Sequence, residues 1–133
     1  MKNLTSQFHS IVQEIVTLKK LDHPNIVKIH EIYRDKKKLY IVMELVEGKE
    51  LLDYVIEQYK LNESEACSII RQLLKTTKYL HSNHIIHRDF KPENIIINPK
   101  TFNIKLVDFG LSSYFQDHIN LTTKVGTPYY VAP

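Results

Sequence analysis

The chain of 133 residues is long enough for one modest hydrophobic core. Its 18 basic and 15 acidic side chains leave a formal charge of +3, too mild and too scattered to mark a nucleic-acid surface. Cys67 is the only cysteine, which excludes an internal disulfide, and no apolar run approaches the ~20 residues that span a bilayer. With no signal-peptide pattern, the expectation is a soluble protein of the cytoplasm or nucleus, with no membrane partner.

Residues 6–21 carry Phe8, Ile11, Val12, Ile15, Val16 and Leu18 at three- and four-residue steps, the period of an amphipathic helix flanked by Glu14. His23-Pro24-Asn25 ends it, because proline cannot continue a helix. Residues 26–33 alternate around Val27, Ile29 and Ile32 and predict a strand. The basic run Lys36-Lys37-Lys38 reads as a solvated turn into a second, more buried strand over residues 39–44.

Residues 45–50 read as a connector, followed by a short helix over 51–59. A long helix then begins with Asn62 as cap and Glu65 at capping-box spacing. Ala66, Ile69, Ile70, Leu73, Leu74, Thr77 and Leu80 give it a broad apolar face, and Cys67 is expected as a small core residue on it. Two short strands, 95–97 and 104–107, are joined by residues 98–103 and carry Asn94 and Asp108 at neighbouring ends. The stretch from 111 to 127 is polar and reads as irregular.

Chemistry concentrates in His87-Arg88-Asp89-Phe90-Lys91-Pro92-Glu93-Asn94, followed by Asp108-Phe109-Gly110. Phosphoryl transfer from a nucleotide requires a carboxylate to orient the attacking hydroxyl, oxygen ligands for magnesium and a cation to offset charge. Asp89, Asn94 with Asp108, and Lys91 supply those types in that order. A lone aspartate in a loop is usually a turn or cap residue; four such residues together favour the catalytic reading.

The order H-R-D-x-K-x-x-N, then D-F-G, resembles the eukaryotic protein kinases. Lys91, two places after Asp89, is similar to the serine/threonine branch. The closing Gly126-Thr127-Pro128-Tyr129-Tyr130-Val131-Ala132-Pro133 is similar to calcium/calmodulin-dependent and calcium-dependent protein kinases. The resemblance implies an α+β, partial kinase fold: an N-lobe remnant over 1–44, a hinge over 45–50, and the first part of a mainly helical C-lobe over 51–133. It implies ATP and Mg2+ as cofactors, and protein substrates bearing serine or threonine near basic residues.

Carried over residue by residue, the resemblance makes Asp89 the base and orienter, places Lys91 at the transferred phosphate, and gives Asn94 and Asp108 to magnesium. Met43 matches the residue guarding the back of the adenine pocket, Glu44 and Val46 the hinge backbone, and Glu50 the acid that meets the ribose. Leu51, Ile96 and Ile97 match the residues that bracket adenine. Met43 could equally be plain core, and Glu50 a helix N-terminal charge. Glu14 matches the helix glutamate that pairs with a nucleotide-gripping lysine. Leu18, Ile29, His87 and Phe109 fit a stack of four side chains that marks the assembled state, so His87 is structural rather than a proton shuttle. Gly110 frees the backbone after that pair.

Arg88 is expected to be a buried cation beside the activation segment, where a phosphate could neutralise it. Thr122 and Thr123 are candidates for that phosphate, and equally for solvated loop residues. Thr127 fits a threonine bonding Asp89 and Lys91, and Glu93 an acid attracting a basic residue of the substrate.

The G-x-G-x-x-G loop has no counterpart, the glycines being Gly48, Gly110 and Gly126, and no V-A-I-K lysine precedes Glu14. The chain therefore reads as truncated at both ends. That leaves a second reading, a catalytically inactive kinase-like fragment that serves as a binding or scaffold module. It also predicts a bare edge on the 26–44 hairpin and an uncovered face on the long helix.

Overall fold

The computed structural model describes residues 15, 19–35, 38–115 and 126–130. Glu14, Leu18, Thr122 and Thr123 lie outside the described residues. Of the first helix, Ile15 and residues 19–20 are described, and they are helical.

The first hairpin pairs β1 (Ile29–Arg34) with β2 (Leu39–Met43), antiparallel, in a register that sets Tyr33 opposite Tyr40. The turn is closed by Asp35: its N–H donates to Lys38 O at 3.0 Å, and its Oδ1 accepts from Lys38 N at 2.6 Å. Two expectations are corrected. The strand begins at Ile29 rather than residue 26, because Ile26 bridges to Leu106 of another sheet. Nor is β2 the more buried strand: Tyr40, Val42 and Met43 are all about half exposed, and only Leu39 and Ile41 are partly buried.

The helix α1 (Leu51–Gln58) follows a two-residue strand β3 (Lys49–Glu50) that periodicity is too short to reveal. Gly48 enters β3 at φ 141°, where a Cβ would stand 2.2 Å from Ile97 O. Glycine is therefore required on two grounds, a left-handed backbone and a close approach.

The helix α2 (Glu63–Ser82) opens with the expected capping box: Asn62 Oδ1 accepts from Glu65 N at 2.9 Å, and Glu65 Oε2 accepts from Asn62 N at 3.0 Å. Ile69, Thr76 and Leu80 line its buried side. Ile70 and Leu74 are more than half exposed, as expected of a helix with an uncovered face. Cys67 is exposed too, which corrects its assignment to the core. It lies off the Ile69–Thr76–Leu80 stripe and near Arg71, whose guanidinium stands 3.7 Å from Sγ.

Beyond α2, β4 (Ile85–Ile86) pairs with β7 (Ser113–Tyr114), so the segment after Asp108-Phe109-Gly110 is not wholly irregular. A 3-10 turn, Pro92–Asn94, leads into β5 (Ile95–Ile97), which lies between β3 and β6 (Ile104–Leu106) in an antiparallel sheet. Val107 falls just outside β6. The core gathers Leu21, Ile26, Leu51, Leu80, Ile97, Leu106 and their neighbours between the hairpin, the helices and this sheet. The fold is the α+β arrangement expected for part of a kinase domain.

Candidate active site

Three side chains, Thr127, Asn94 and Lys91, close on Asp89. Thr127 Oγ1 donates to Asp89 Oδ1 at 2.6 Å. Asn94 Nδ2 donates to Asp89 Oδ2 at 2.9 Å and to Asp89 O at 3.0 Å. Lys91 Nζ pairs with Asp89 Oδ2 at 2.9 Å and donates to Thr127 Oγ1 at 3.0 Å. Local chain geometry makes this possible. Pro92 pre-sets the backbone for the turn Pro92–Asn94, which folds Asn94 back over Asp89 and leaves Lys91 extended on the other side.

Asp89 is buried. Burial alone would push its pKa up. The hydrogen bonds from Thr127, Lys91 and Asn94 outweigh that and hold the carboxyl below the usual aspartate range. The same contact with Asp89 raises the pKa of Lys91. At neutral pH the site therefore contains a firmly ionised carboxylate beside an ammonium. A carboxylate offers about four lone-pair positions. Three donors occupy it here, which leaves room for one further hydroxyl.

Asp108 reaches the same region through the sheet. Val107 N donates to Asn94 O at 2.9 Å, so the residue after Val107 is held beside the end of the 3-10 turn. Asp108 adopts φ 58°, is exposed, and accepts from Gly110 N on Oδ1 at 3.1 Å. Asn94 Nδ2 is engaged with Asp89, so Oδ1 is the atom a cation would take. A carboxylate and a carboxamide oxygen are donor types that suit magnesium, which fills its remaining positions with water and phosphate.

Two ring contacts support the site from below. Phe109 is fully buried and meets His87 edge-on at 4.7 Å between centroids; Phe90 lies 4.9 Å from the same imidazole. Ile29 is buried in the same core, while Leu18 lies outside the described residues. His87 Nδ1 accepts from Asp89 N at 3.3 Å. Its Nε2 is buried and makes no hydrogen bond of full geometry among the described residues, although the Val107 backbone acts on the ring. Burial holds the imidazole pKa below its ordinary value, against the opposing pull of the Val107 carbonyl and of Asp108 and Asp89.

Arg88 is half-buried rather than buried. Its Nε donates to Leu111 O at 2.6 Å, which turns the guanidinium onto the segment after Gly110. Glu93 is half-buried, with Oε2 enclosed and unpartnered among the described residues.

The residues expected around adenine divide. Ile96 is partly exposed and stands opposite Glu50 in the β3–β5 register. Leu51 and Ile97 belong to the core, because Ile97 follows Ile96 in a strand and points to the other face. Leu51 instead lines an apolar cavity of about 280 Å³ with Leu61, Ile69, Leu73, Phe90 and Ile95. Met43 is half exposed. Val46 packs partly against the core. The Glu44 side chain is engaged elsewhere: Oε1 accepts from Lys105 Nζ at 2.5 Å and from Lys28 N at 2.8 Å. Glu44 N donates to Lys28 O at 2.9 Å, which leaves the Glu44 carbonyl, not its carboxylate or N–H, for any nucleotide contact.

Sequence reasoning passed over Lys105, Asn25 and Gln72, which join the hairpin and α2 to β6. The available signal was Gln72 itself, a polar residue between Ile69, Leu73 and Thr76 on an apolar stripe.

The protein kinase domain family model matches residues 1–133. Calcium-dependent protein kinase 5 of Plasmodium falciparum (isolate 3D7) is 44% identical over 123 residues, 91% of this chain and 22% of that protein. Calcium-dependent protein kinase 5 of Plasmodium berghei (strain Anka) is 40% identical over 134 residues, 99% of this chain and 24% of that protein. A probable myosin light chain kinase of Dictyostelium discoideum is 47% identical over 121 residues, 90% of this chain and 39% of that protein. The chain thus spans well under half the length of these curated relatives. With a family model covering all 133 residues, the chain belongs to the protein kinase domain family.

Proposed function

We propose that the chain carries the phosphoryl-transfer site of a serine/threonine protein kinase that uses ATP and magnesium. The observation behind this reading is the closed set of Asp89, Lys91, Asn94 and Thr127. Asp89 orients the acceptor hydroxyl through its remaining lone-pair position and takes the proton as the bond to phosphorus forms. A carboxylate with a lowered pKa is a weak base, which suits a loose transition state in which positioning does most of the work. Lys91, paired with Asp89, would offset charge on the transferred group. Asn94 and Asp108 would hold the cation, which when bound would neutralise charge on the nucleotide phosphates.

Thr127 supports the serine/threonine assignment. Its hydroxyl bridges Asp89 and Lys91, beside the position where an acceptor hydroxyl would meet the base. Glu93, with an enclosed carboxylate oxygen that has no partner among the described residues, fits a site for a basic residue of the substrate. Residues 45–50 would serve as the hinge, with Glu50 at the ribose and Ile96 under the adenine. A cytoplasmic or nuclear location accords with a single exposed cysteine.

The test is titration of the purified chain with ATP, with and without magnesium, repeated for Asp108→Asn. Magnesium-dependent binding that the variant loses supports the assignment. Phosphate transfer from ATP to a serine peptide with a nearby basic residue then tests the reaction. A soluble, folded chain that binds no nucleotide under either condition would overturn the reading.

A further inference from the structure

Gln72 projects from α2 into the junction between the loop over residues 21–28 and β6, and it uses its whole hydrogen-bonding capacity there. Oε1 accepts from Asn25 Nδ2 at 2.9 Å and from Ile104 N at 3.1 Å. Nε2 donates to Phe102 O at 2.8 Å and to Ser68 O at 3.2 Å. Asn25 Nδ2 donates a second bond, to Ile104 O at 2.8 Å. The two carboxamides therefore clasp Ile104 at both its N–H and its carbonyl.

The clasp continues along the strand. Leu106 N donates to Asn25 O at 2.8 Å, and Val27 N donates to Leu106 O at 3.1 Å. Val107 N then donates to Asn94 O at 2.9 Å, and the next residue is Asp108. A strand of three residues has little pairing of its own with which to resist sliding or fraying. Its partner β5 is equally short. Side-chain amides that match both a donor and an acceptor of one residue fix that residue in position along the strand, as well as against the sheet.

We propose that Gln72, acting with Asn25, is a positioning residue for Asp108: the paired carboxamides set β6 in place, and β6 delivers the carboxylate to the metal site. The inference deepens the function proposed above and rests on it for the role of Asp108. The placement of β6 can be tested independently of that role.

Two substitutions grade the clasp. Gln72→Glu keeps the acceptor for Asn25 and Ile104 but presents carboxylate oxygen to the carbonyls of Phe102 and Ser68. Gln72→Leu removes both halves. Amide hydrogen exchange on the full chain reads β6 directly, with Val55 inside α1 as the internal control. Leu106 and Val107, to which Gln72 makes no hydrogen bond, are expected to exchange about tenfold faster in Gln72→Leu and by a smaller factor in Gln72→Glu, with Val55 unmoved. The apparent magnesium requirement for ATP binding should rise in the same order, while magnesium-free ATP binding stays level.

Faster exchange at Ile104 alone, with Leu106 and Val107 unchanged, would overturn the proposal, since it would mean only a local loss. If Gln72→Leu accelerates exchange everywhere, Val55 included, Gln72→Glu decides between the two outcomes by the same criterion. A wild-type chain that binds no ATP would defeat the proposed function, while the exchange rates of Leu106 and Val107 would still decide whether Gln72 holds β6.

Discussion

Thr127 Oγ1 donates to Asp89 Oδ1 at 2.6 Å, although 38 positions separate the two residues. The bond fastens the far end of the polar segment to the residue proposed as base, and it is one of three that keep the carboxyl ionised. Thr127→Val removes the donor and preserves the shape. Hydrogen bonds to charged groups are worth about 1.5–3 kcal/mol, so transfer to a serine peptide should fall roughly ten- to a hundredfold. Thr127→Ser should retain most of the rate. The Asp89 pKa should rise in Thr127→Val, which moves the acid limb of the pH–rate profile upward.

Asp108 is exposed and sits at φ 58°. Asparagine tolerates that backbone region well, and alanine less so. Asp108→Asn should therefore abolish magnesium-dependent nucleotide binding while thermal stability stays within about 0.5 kcal/mol, the usual range for a surface change. Asp108→Ala should give the same binding loss with an added stability cost. Calorimetric melts beside nucleotide titrations separate the two effects.

The lowered pKa of His87 makes stability depend on pH. In the unfolded chain the imidazole takes up a proton near its ordinary value of about 6.5. In the folded chain it does so only at lower pH. Between those values the unfolded state binds more protons, so stability falls as pH drops below about 6.5, by at most about 1.4 kcal/mol per pH unit for one group. His23 is shifted in the same direction by burial and Lys105, and adds to the slope. His87→Phe keeps a ring against Phe109 and should flatten the slope by one group's share. Denaturant midpoints from pH 7 down to 5 would show it; an unchanged slope would refute the assignment.

Phe109 is 1% exposed and packs edge-on against His87. Phe109→Ala should cost about 3–5 kcal/mol through lost burial and the cavity left behind. That is a large part of the stability of a typical domain. Phe109→Leu should cost less. Urea unfolding monitored by far-UV circular dichroism measures both.

Much of the site was legible because its chemistry lies within a short stretch. Asp89, Lys91 and Asn94 fall within six residues, and Thr127 and Asp108 follow from the motif. The capping box at Asn62 and Glu65 was equally plain, since spacing alone defines it. The strands β3 and β7 were not, because two residues have no period. Nor could alternation assign Ile97 inward and Ile96 outward before the register with Lys49 and Glu50 was known. Cys67 was misplaced because an apolar stripe on a helix shows which side can be buried, not how much of that side is covered. Gln72 escaped for a different reason: its partners, Asn25, Phe102 and Ile104, are 30 to 47 positions away on one side or the other.

Arg88 and Asp108 share a property unrelated to their charges: φ 65° and φ 58° place both in the left-handed region, where valine, isoleucine and threonine are strongly disfavoured. Backbone shape thus restricts these positions before any chemistry is required of them. In a saturation-mutagenesis library sorted only for folded protein, with no demand for activity, both sites should already be depleted of β-branched residues. Intolerance there would be inherited from the main chain. A mutational tolerance map would flag Arg88 and Asp108 as constrained even in a relative that had abandoned catalysis.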